Sequence, residues 1–229
     1  KVPDAHEIRI DWNSDGDFNG TGENVTSRVL ARSPVMIQYG RDTARALSPI
    51  APGSMSFELN NISKDYSPEF ASSPLNGLLG PGRAVRYQRT HLSTTYTMFR
   101  GHLDDYDLLP ERSERSVQFT CLDALAKFSG ATISTDLYQG IRTGQAIGYI
   151  LDKIGWPTAD RDLDAGATLI PWWWEEQTDA FQALERVVNS EGPAAFVFVD
   201  ADGKVVFRDR HHRLLRTAST TSQATFRDT

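Results

Sequence analysis

An acidic loop near the start of the chain has the residue types and the spacing to bind a hard cation. Side chains that carry oxygen recur at every second position, at Asp11, Asn13, Asp15 and Asp17. Alternate side chains of a curling loop project to the same side, and Ca²⁺ prefers oxygen ligands. Gly16 stands where such a loop must turn sharply. The spacing therefore predicts a Ca²⁺ loop that starts as a short strand ends.

The match to a Ca²⁺ loop is incomplete at its last position. A bidentate Glu is expected six residues after the turn glycine, but that residue is Gly22, and Glu23 falls one place later. A loop that bulges by one residue would still bring this Glu to the ion. The candidate ligands are therefore Asp11, Asn13, Asp15, Asp17 and Glu23. The alternative is a hairpin loop whose Asp and Asn side chains bond to their own backbone.

Other reactive side chains do not form a pattern that predicts catalysis. None of the five histidines lies in a nucleophile-elbow or zinc-protease motif. Cys121 falls on the apolar face of a predicted strand, which is typical of a buried, inert thiol. The acidic residues within 104–107 and 175–176 are typical of a solvated surface. The sequence therefore predicts a protein that is not an enzyme.

Three consecutive tryptophans, at residues 172–174, form an unusual aromatic segment. Packing in the core or at a subunit interface is the favoured interpretation, because Trp is enriched at interfaces. A sugar-stacking platform is the alternative. Consecutive residues of a strand point to opposite faces, so all three rings cannot line one platform there.

Composition limits the classes of function. The chain has 229 residues, 39% of them apolar and 24% charged, with a net charge of −6. This charge disfavours wholesale binding of nucleic acid, and a single cysteine excludes an internal disulfide. No run approaches the ~20 apolar residues that span a bilayer, and no signal peptide is visible. Because the chain begins with Lys1, we expect it to be a piece of something longer.

Alternating apolar residues and turn clusters predict an α+β, β-rich chain. Residues 1–130 are predicted to form an antiparallel β-barrel or sandwich, in which residues 61–82 are a long surface loop. Its strands are predicted at residues 7–11, 25–30, 35–39, 54–60, 84–89, 96–102 and 115–121.

Residues 131–229 are predicted to form a smaller α+β domain. Its helices are expected near residues 143–154 and after Thr178, which should cap a helix that buries Phe181, Leu184 and Val188. A short helix at 122–128 precedes the domain, and a β-hairpin over 195–209 follows its helices.

Four segments, in order, resemble the tail hub or minor tail proteins of long-tailed phages of actinobacteria. The first is the acidic loop with Glu23-Asn24-Val25-Thr26, and the second is the strand at 54–61 with Asp65-Tyr66-Ser67-Pro68. The third is Gly82-Arg83-Ala84-Val85-Arg86 with Phe99-Arg100-Gly101-His102-Leu103-Asp104. The fourth is residues 183–210, which end in Phe207-Arg208-Asp209-Arg210.

The resemblance implies a structural role in the virion. Hubs of this kind are similar to ring-forming proteins with two barrel-like domains, which implies a further β domain after Thr229. It also implies a trimer at the tail tip that contacts the distal tail protein, the tape measure protein and the tail fibres. A receptor- or carbohydrate-binding module at the tail periphery is the alternative. Catalytic domains of relatives lie further toward the C-terminus, so no catalytic role is implied.

Overall fold

A computed structural model of the protein describes residues 5–39, 50–110 and 115–224. The described residues form two compact units, one made of 5–39, 51–110, 115–126 and 199–204, the other of residue 50 with 127–198 and 205–224. More residues lie in strands than in helices, which confirms the predicted α+β, β-rich class.

The first unit contains a six-stranded antiparallel sheet in the order β1-β4-β5-β6-β3-β2. Its strands are β1 (Ala5–Ile10), β2 (Met36–Gln38), β3 (Ser54–Asn60), β4 (Ala84–His91), β5 (Thr94–Pro110) and β6 (Arg115–Leu122). Most were predicted from alternation, but β5 is far longer than its predicted segment. The pairing of β5 with β6 has a bulge between Leu103 and Asp105. This bulge lies close to the point where the partner of β5 changes from β4 to β6.

Residues 23–30 close this sheet into a barrel. At one end of the segment, Ile10 N–H donates to the Glu23 carbonyl, and Val25 N–H donates to the Ile8 carbonyl. At the other end, Leu30 N–H donates to the carbonyl of Glu58 on β3. One segment thus links β1, at one edge of the sheet, to the part of β3 that β2 leaves unpaired, which selects the barrel over the sandwich.

The prediction of a regular strand at 25–30 is wrong. The segment pairs with β1 only around Asn24 and with β3 only around Val29, and Thr26–Arg28 between them forms a 3₁₀ turn. A segment that must cross from one strand to another cannot keep the straight ladder of either. Val25, at the start of the segment, is nevertheless buried in the core.

Apolar side chains from β1 and from β3 to β6 fill the barrel. Aromatic rings pack at its centre: Phe57 stacks on Phe119 with ring centroids 5.6 Å apart, and Trp12 lies 6.1 Å from Phe119. The long loop at 61–82 is more than a surface excursion, because it buries Tyr66 and Leu75 in the same core. Cys121 is fully buried there, as predicted, and burial raises the pKa of its thiol.

The second unit combines short ladders with helices. Its strands are β7 (Thr132–Ile133), β8 (Tyr138–Arg142), β9 (Arg161–Leu163), β10 (Leu169–Trp173), β11 (Thr178–Asp179), β12 (Phe196–Val199) and β13 (Val205–Arg208). Its α-helices are α1 (Thr143–Lys153), α2 (Ala180–Glu191), α3 (His212–Leu215) and α4 (Thr217–Thr220). The predicted helix at 122–128 is a 3₁₀ helix, Ala124–Phe128. Within the described ranges, no helix has the length and apolar character needed to span a bilayer.

Helix α2 starts one residue later than predicted. Asp179, not Thr178, caps it, because the Asp179 carboxylate accepts from the Gln182 N–H at 3.0 Å. Leu184 and Val188 are buried as predicted, but Phe181 is only half-buried, which corrects the sequence analysis. Phe181 lies about 100° round the helix from the buried Ala180, at the rim of the apolar stripe.

Glu191 is a buried acid that the apolar pattern did not predict. Its carboxylate accepts from the Thr143 hydroxyl at 2.7 Å and from the N–H groups of Ala167 and Thr168 at 2.9 Å. Burial alone would raise the pKa of Glu191, but these hydrogen bonds outweigh burial and lower it. A buried charge is tolerated here because three donors surround it.

The buried carboxyl of Asp123, which follows β6, should make the stability of the folded protein depend on pH. Burial raises its pKa to about 6, although the N–H groups of Gly53 and Leu125 donate to its oxygens. Between about pH 4 and pH 6 the folded state holds a proton that an unfolded Asp releases, so this contribution to stability falls as pH rises. We expect urea unfolding from pH 4 to 8 to show a stability loss through this window that is absent in Asp123→Asn. Equal slopes in both proteins would contradict the assignment.

Candidate metal centre

Three of the four predicted carboxylate ligands come together. Carboxylate oxygens of Asp11, Asp15 and Glu23 all lie within 4.8 Å of one another. Asp11 and Glu23 are buried, with 3% and 1% of their surface exposed, while Asp15 is exposed. The sequence spacing thus found a real cluster, including the Glu that falls one residue late.

The closure of the barrel places the two buried acids. Asp11 follows β1 directly, and its N–H donates to the Ala84 carbonyl at 2.9 Å. Glu23 opens the closing segment, and its carbonyl accepts from Ile10 N–H at 2.9 Å. We call the junction between β1 and residues 23–25 the seam of the barrel. Backbone pairing across this seam places the two acids beside each other, independently of their side-chain conformations.

The other two predicted ligands form turns of the kind that the alternative interpretation expected. The Asn13 side-chain oxygen accepts from Asp15 N–H at 3.1 Å, and its amide donates to the Asp15 carboxylate at 2.8 Å. Asp17 lies outside the cluster and accepts from Asn19 N–H at 2.7 Å. The loop is therefore both a set of side-chain turns and an acidic cluster.

Two glycines permit the path of the loop. Gly16 and Gly22 have φ of 89° and 83°, the left-handed region that glycine occupies without strain. Gly16 also donates its N–H to the Asp11 carboxylate at 3.0 Å. Gly22 directly precedes Glu23, whose carboxylate belongs to the cluster.

The sequence analysis did not identify the aromatic side chains that anchor the acidic loop to the barrel. Phe18 is buried under the Arg86 guanidinium, which lies 4.5 Å from the ring centroid, and its carbonyl accepts from Arg9 at 2.5 Å. Trp12 is buried, and its indole N–H donates to the Gly22 carbonyl at 3.2 Å. An aromatic residue inside an acidic loop was the available signal.

Negative charge in the cluster is poorly balanced. Burial and the neighbouring charges of Asp11, Asp15 and Asp17 raise the pKa of Glu23, against a hydrogen bond from Gly20 N–H that lowers it. In the part of the chain that the structure describes, none of these four acids forms an ion pair. The Asp11 Oδ1 atom is buried and has no hydrogen-bond partner there.

The barrel and its acidic seam can be compared with solved structures. The 43 kDa tail protein of prophage MuSo2 from Shewanella oneidensis superposes with a TM-score of 0.58 at 12% identity, over 90% of this chain. The tail protein from Neisseria meningitidis MC58 gives 0.53 at 13% identity, also over 90% of this chain. The chain has the fold of phage tail proteins.

The similarity covers only part of those tail proteins. This chain spans 53% of the Shewanella protein and 50% of the Neisseria protein, about half the length of each. No family model and no curated protein matches the sequence. The comparison thus concerns the fold.

The remaining candidate residues lie elsewhere. In the tryptophan segment, Trp173 is buried and stacks near Tyr138 and Tyr149, whereas Trp172 and Trp174 are 55% and 57% exposed. The segment therefore divides between two faces, as strand geometry predicted.

The two groups of acids also differ in setting. The acids at 104, 105 and 107 are exposed on β5. Glu175 is buried and pairs with Arg186 at 2.5 Å, whereas Glu176 beside it is exposed.

A substitution at Gly20 tests whether the Glu23 carboxylate is held in place at the seam. A Cβ at this position would lie 2.5 Å from the Glu23 Oε1 atom, so alanine must push a buried carboxylate aside. We expect Gly20→Ala to lower the free energy of unfolding by about 1–3 kcal/mol, measured in urea. Gly80→Ala is the matched control, because a Cβ there meets nothing within 4 Å. An unchanged Gly20→Ala stability would mean that Glu23 is free to leave the cluster.

Proposed function

We propose that the protein is a structural component of a phage tail tip, a hub-like minor tail protein that closes the tail tube. The observation that carries this proposal is the fold shared with two tail proteins over 90% of the chain. The four ordered sequence segments support the finer assignment to long-tailed phages of actinobacteria. Its neighbours in the virion would be the distal tail protein, the tape measure protein and the tail fibres.

The barrel suits a structural role in a ring. A closed barrel leaves no long unpaired edge that would recruit strands at random. Contacts with neighbouring copies must then be made by side chains on the barrel surface or by the second unit. Closed rotational symmetry is the usual outcome of such contacts, and a trimer fits the end of a tube. The proposed function is geometric rather than catalytic.

A receptor- or carbohydrate-binding role is a second candidate, and one surface favours it. Trp172 and Trp174 lie exposed beside Leu137, and the three side chains line a shallow apolar depression. Exposed tryptophan pairs stack on sugars, but they also serve as anchors at subunit interfaces. We favour the interface, since Leu137 adds an apolar chain with no hydrogen-bonding group for a sugar.

A density map of the assembled particle tests the hub. We expect three copies of the chain in a ring at the tail tip, below a tube with hexameric symmetry, since a closed threefold ring fits a tube end. Six equivalent copies would contradict the trimer. Single copies attached at the tail periphery would favour the receptor-binding alternative.

The exposed tryptophans separate the two candidates. We expect a Trp172→Ser, Trp174→Ser double variant to fold normally but to be lost from assembled particles, because interface anchors carry most of the binding energy. Leu169→Ser is the matched control, an exposed leucine on the opposite face of the same strand β10. Normal incorporation of the double variant, with loss of signal on a glycan array, would favour the carbohydrate-binding role instead.

A further inference from the structure

The buried acids of the cluster lack the partners that the other buried carboxylates of the described residues have, since Glu175 is paired with Arg186. Glu191 accepts three hydrogen bonds and Asp123 accepts two. Within the described residues, Asp11 accepts one, from Gly16 N–H, and Glu23 accepts one, from Gly20 N–H. These two acids are nonetheless the ones placed beside each other. Buried carboxylates that lack donors and repel one another call for a positive charge.

The orphaned oxygen of Asp11 points to the kind of charge required. Only 3% of this residue is exposed, and its Oδ1 atom has neither solvent nor a hydrogen-bond donor in the described structure. The cationic side chains near the loop are used elsewhere: Arg9 pairs with Glu7, Arg83 donates to Ser14, and Arg86 lies over Phe18. Since these side chains are engaged, a bound cation is the remaining candidate partner for the Asp11 Oδ1 atom.

We propose that Asp11, Asp15 and Glu23 bind one Ca²⁺ ion at the seam of the barrel. Three carboxylates carry a formal charge of −3, and a divalent ion removes most of their mutual repulsion. The exposed Asp15 completes the site from the solvent side, so the ion enters without opening the barrel. Backbone carbonyls and water supply the further ligands that Ca²⁺ takes.

The ligand set favours Ca²⁺ over Mg²⁺. Oxygens on opposite sides of a Ca²⁺ ion are about 4.6–5.2 Å apart, so carboxylate oxygens that lie within 4.8 Å of one another can share one ion. Mg²⁺ demands near-ideal octahedral positions and gives up its waters reluctantly, whereas Ca²⁺ accepts flexible geometry. Carboxylates on a loop that is anchored at Trp12 and Phe18 therefore suit the less demanding ion.

The ion would fasten the place where the barrel closes. Asp11 belongs to the end of β1, and Glu23 begins the segment that crosses to β3. One ion coordinated by both residues links the two sides of the seam in addition to their backbone hydrogen bonds. Because only the folded chain holds these residues together, binding stabilises the folded state.

Thermal unfolding of the chain, stripped of metal with EDTA and then titrated with CaCl₂, tests the proposal. With a dissociation constant near 0.5 mM, typical of extracellular modules, ~5 mM Ca²⁺ should raise Tm by about 3–6 °C. Mg²⁺ at the same concentration should raise Tm by less than half as much. Tb³⁺ is a second probe, because Trp12 beside the site should sensitise its luminescence and Ca²⁺ should quench that signal by displacement.

Two matched variants locate the ion. Asp15→Asn keeps an oxygen that can accept from Asp17 N–H, so the turn should form while Ca²⁺ affinity falls at least tenfold. Asp17→Asn makes the same chemical change on the same loop but outside the cluster, and affinity should fall by no more than threefold. Glu23→Gln should lose the Ca²⁺ response yet melt no lower than the wild type in EDTA, because it removes a repelling charge.

Three results would overturn the proposal. One is an unchanged Tm of the wild type at ~5 mM Ca²⁺, an ample excess over a site of this class. Another is an equal Ca²⁺ response in the wild type and in Asp15→Asn, which would place the ion elsewhere. The third is an equal loss in Asp15→Asn and Asp17→Asn, which would indicate diffuse attraction to an acidic loop rather than a bound ion.

Discussion

Closure of the barrel by residues 23–30 is the constraint on which the first unit depends. The segment uses backbone groups at its two ends to satisfy two different strands, β1 and β3, and spans the gap with a 3₁₀ turn. Without it, β1 and the end of β3 beyond its pairing with β2 would present unpaired backbone groups, and the apolar side chains inside would be reachable by water. The aromatic core and the acidic loop therefore both depend on this closing segment.

The seam also explains why acids were brought into a buried position. Asp11 and Glu23 are the residues at which the strand ends and the closing segment begins, so the path of the backbone fixes their separation. Elsewhere the protein surrounds a buried carboxylate with donors, as at Glu191. At the seam it leaves acids facing acids, which is an arrangement suited to an ion rather than to a rigid network.

Much of the fold was readable from the sequence because alternation and turns are local. The strand at Ser54–Asn60 was predicted to the residue, since its apolar face is strictly alternating and fully buried. The acidic cluster was also predicted, since its spacing lies within thirteen residues. The closing segment was not, because its shape depends on two strands that are distant in sequence.

Other differences from the sequence analysis have different origins. The hairpin between β4 and β5 turns at Leu92 and Ser93, both with positive φ, without the Asn-Gly that predicts such a turn. The short strand β10 shows no clean alternation, because Leu169, Pro171 and Trp172 are all exposed and only Trp173 is buried. Of the predicted carboxylate ligands, Asp17 lies outside the cluster, and its side chain accepts a hydrogen bond within a local turn. Spacing along a loop specifies candidates, whereas the path of the loop in three dimensions decides which of them meet.

The length of β5 has a mechanical consequence. Its 17 residues, roughly 55 Å when extended, pair with β4 over the first half and with β6 over the second. Ladder hydrogen bonds lie perpendicular to the strands, so tension along β5 loads many of them in shear at once instead of peeling them one by one. Where the two ladders meet, a side chain at Gly101 would place its Cβ 2.3 Å from the Leu122 carbonyl. The strand therefore carries tension along its whole length, and the position at its middle, Gly101, tolerates a larger side chain least.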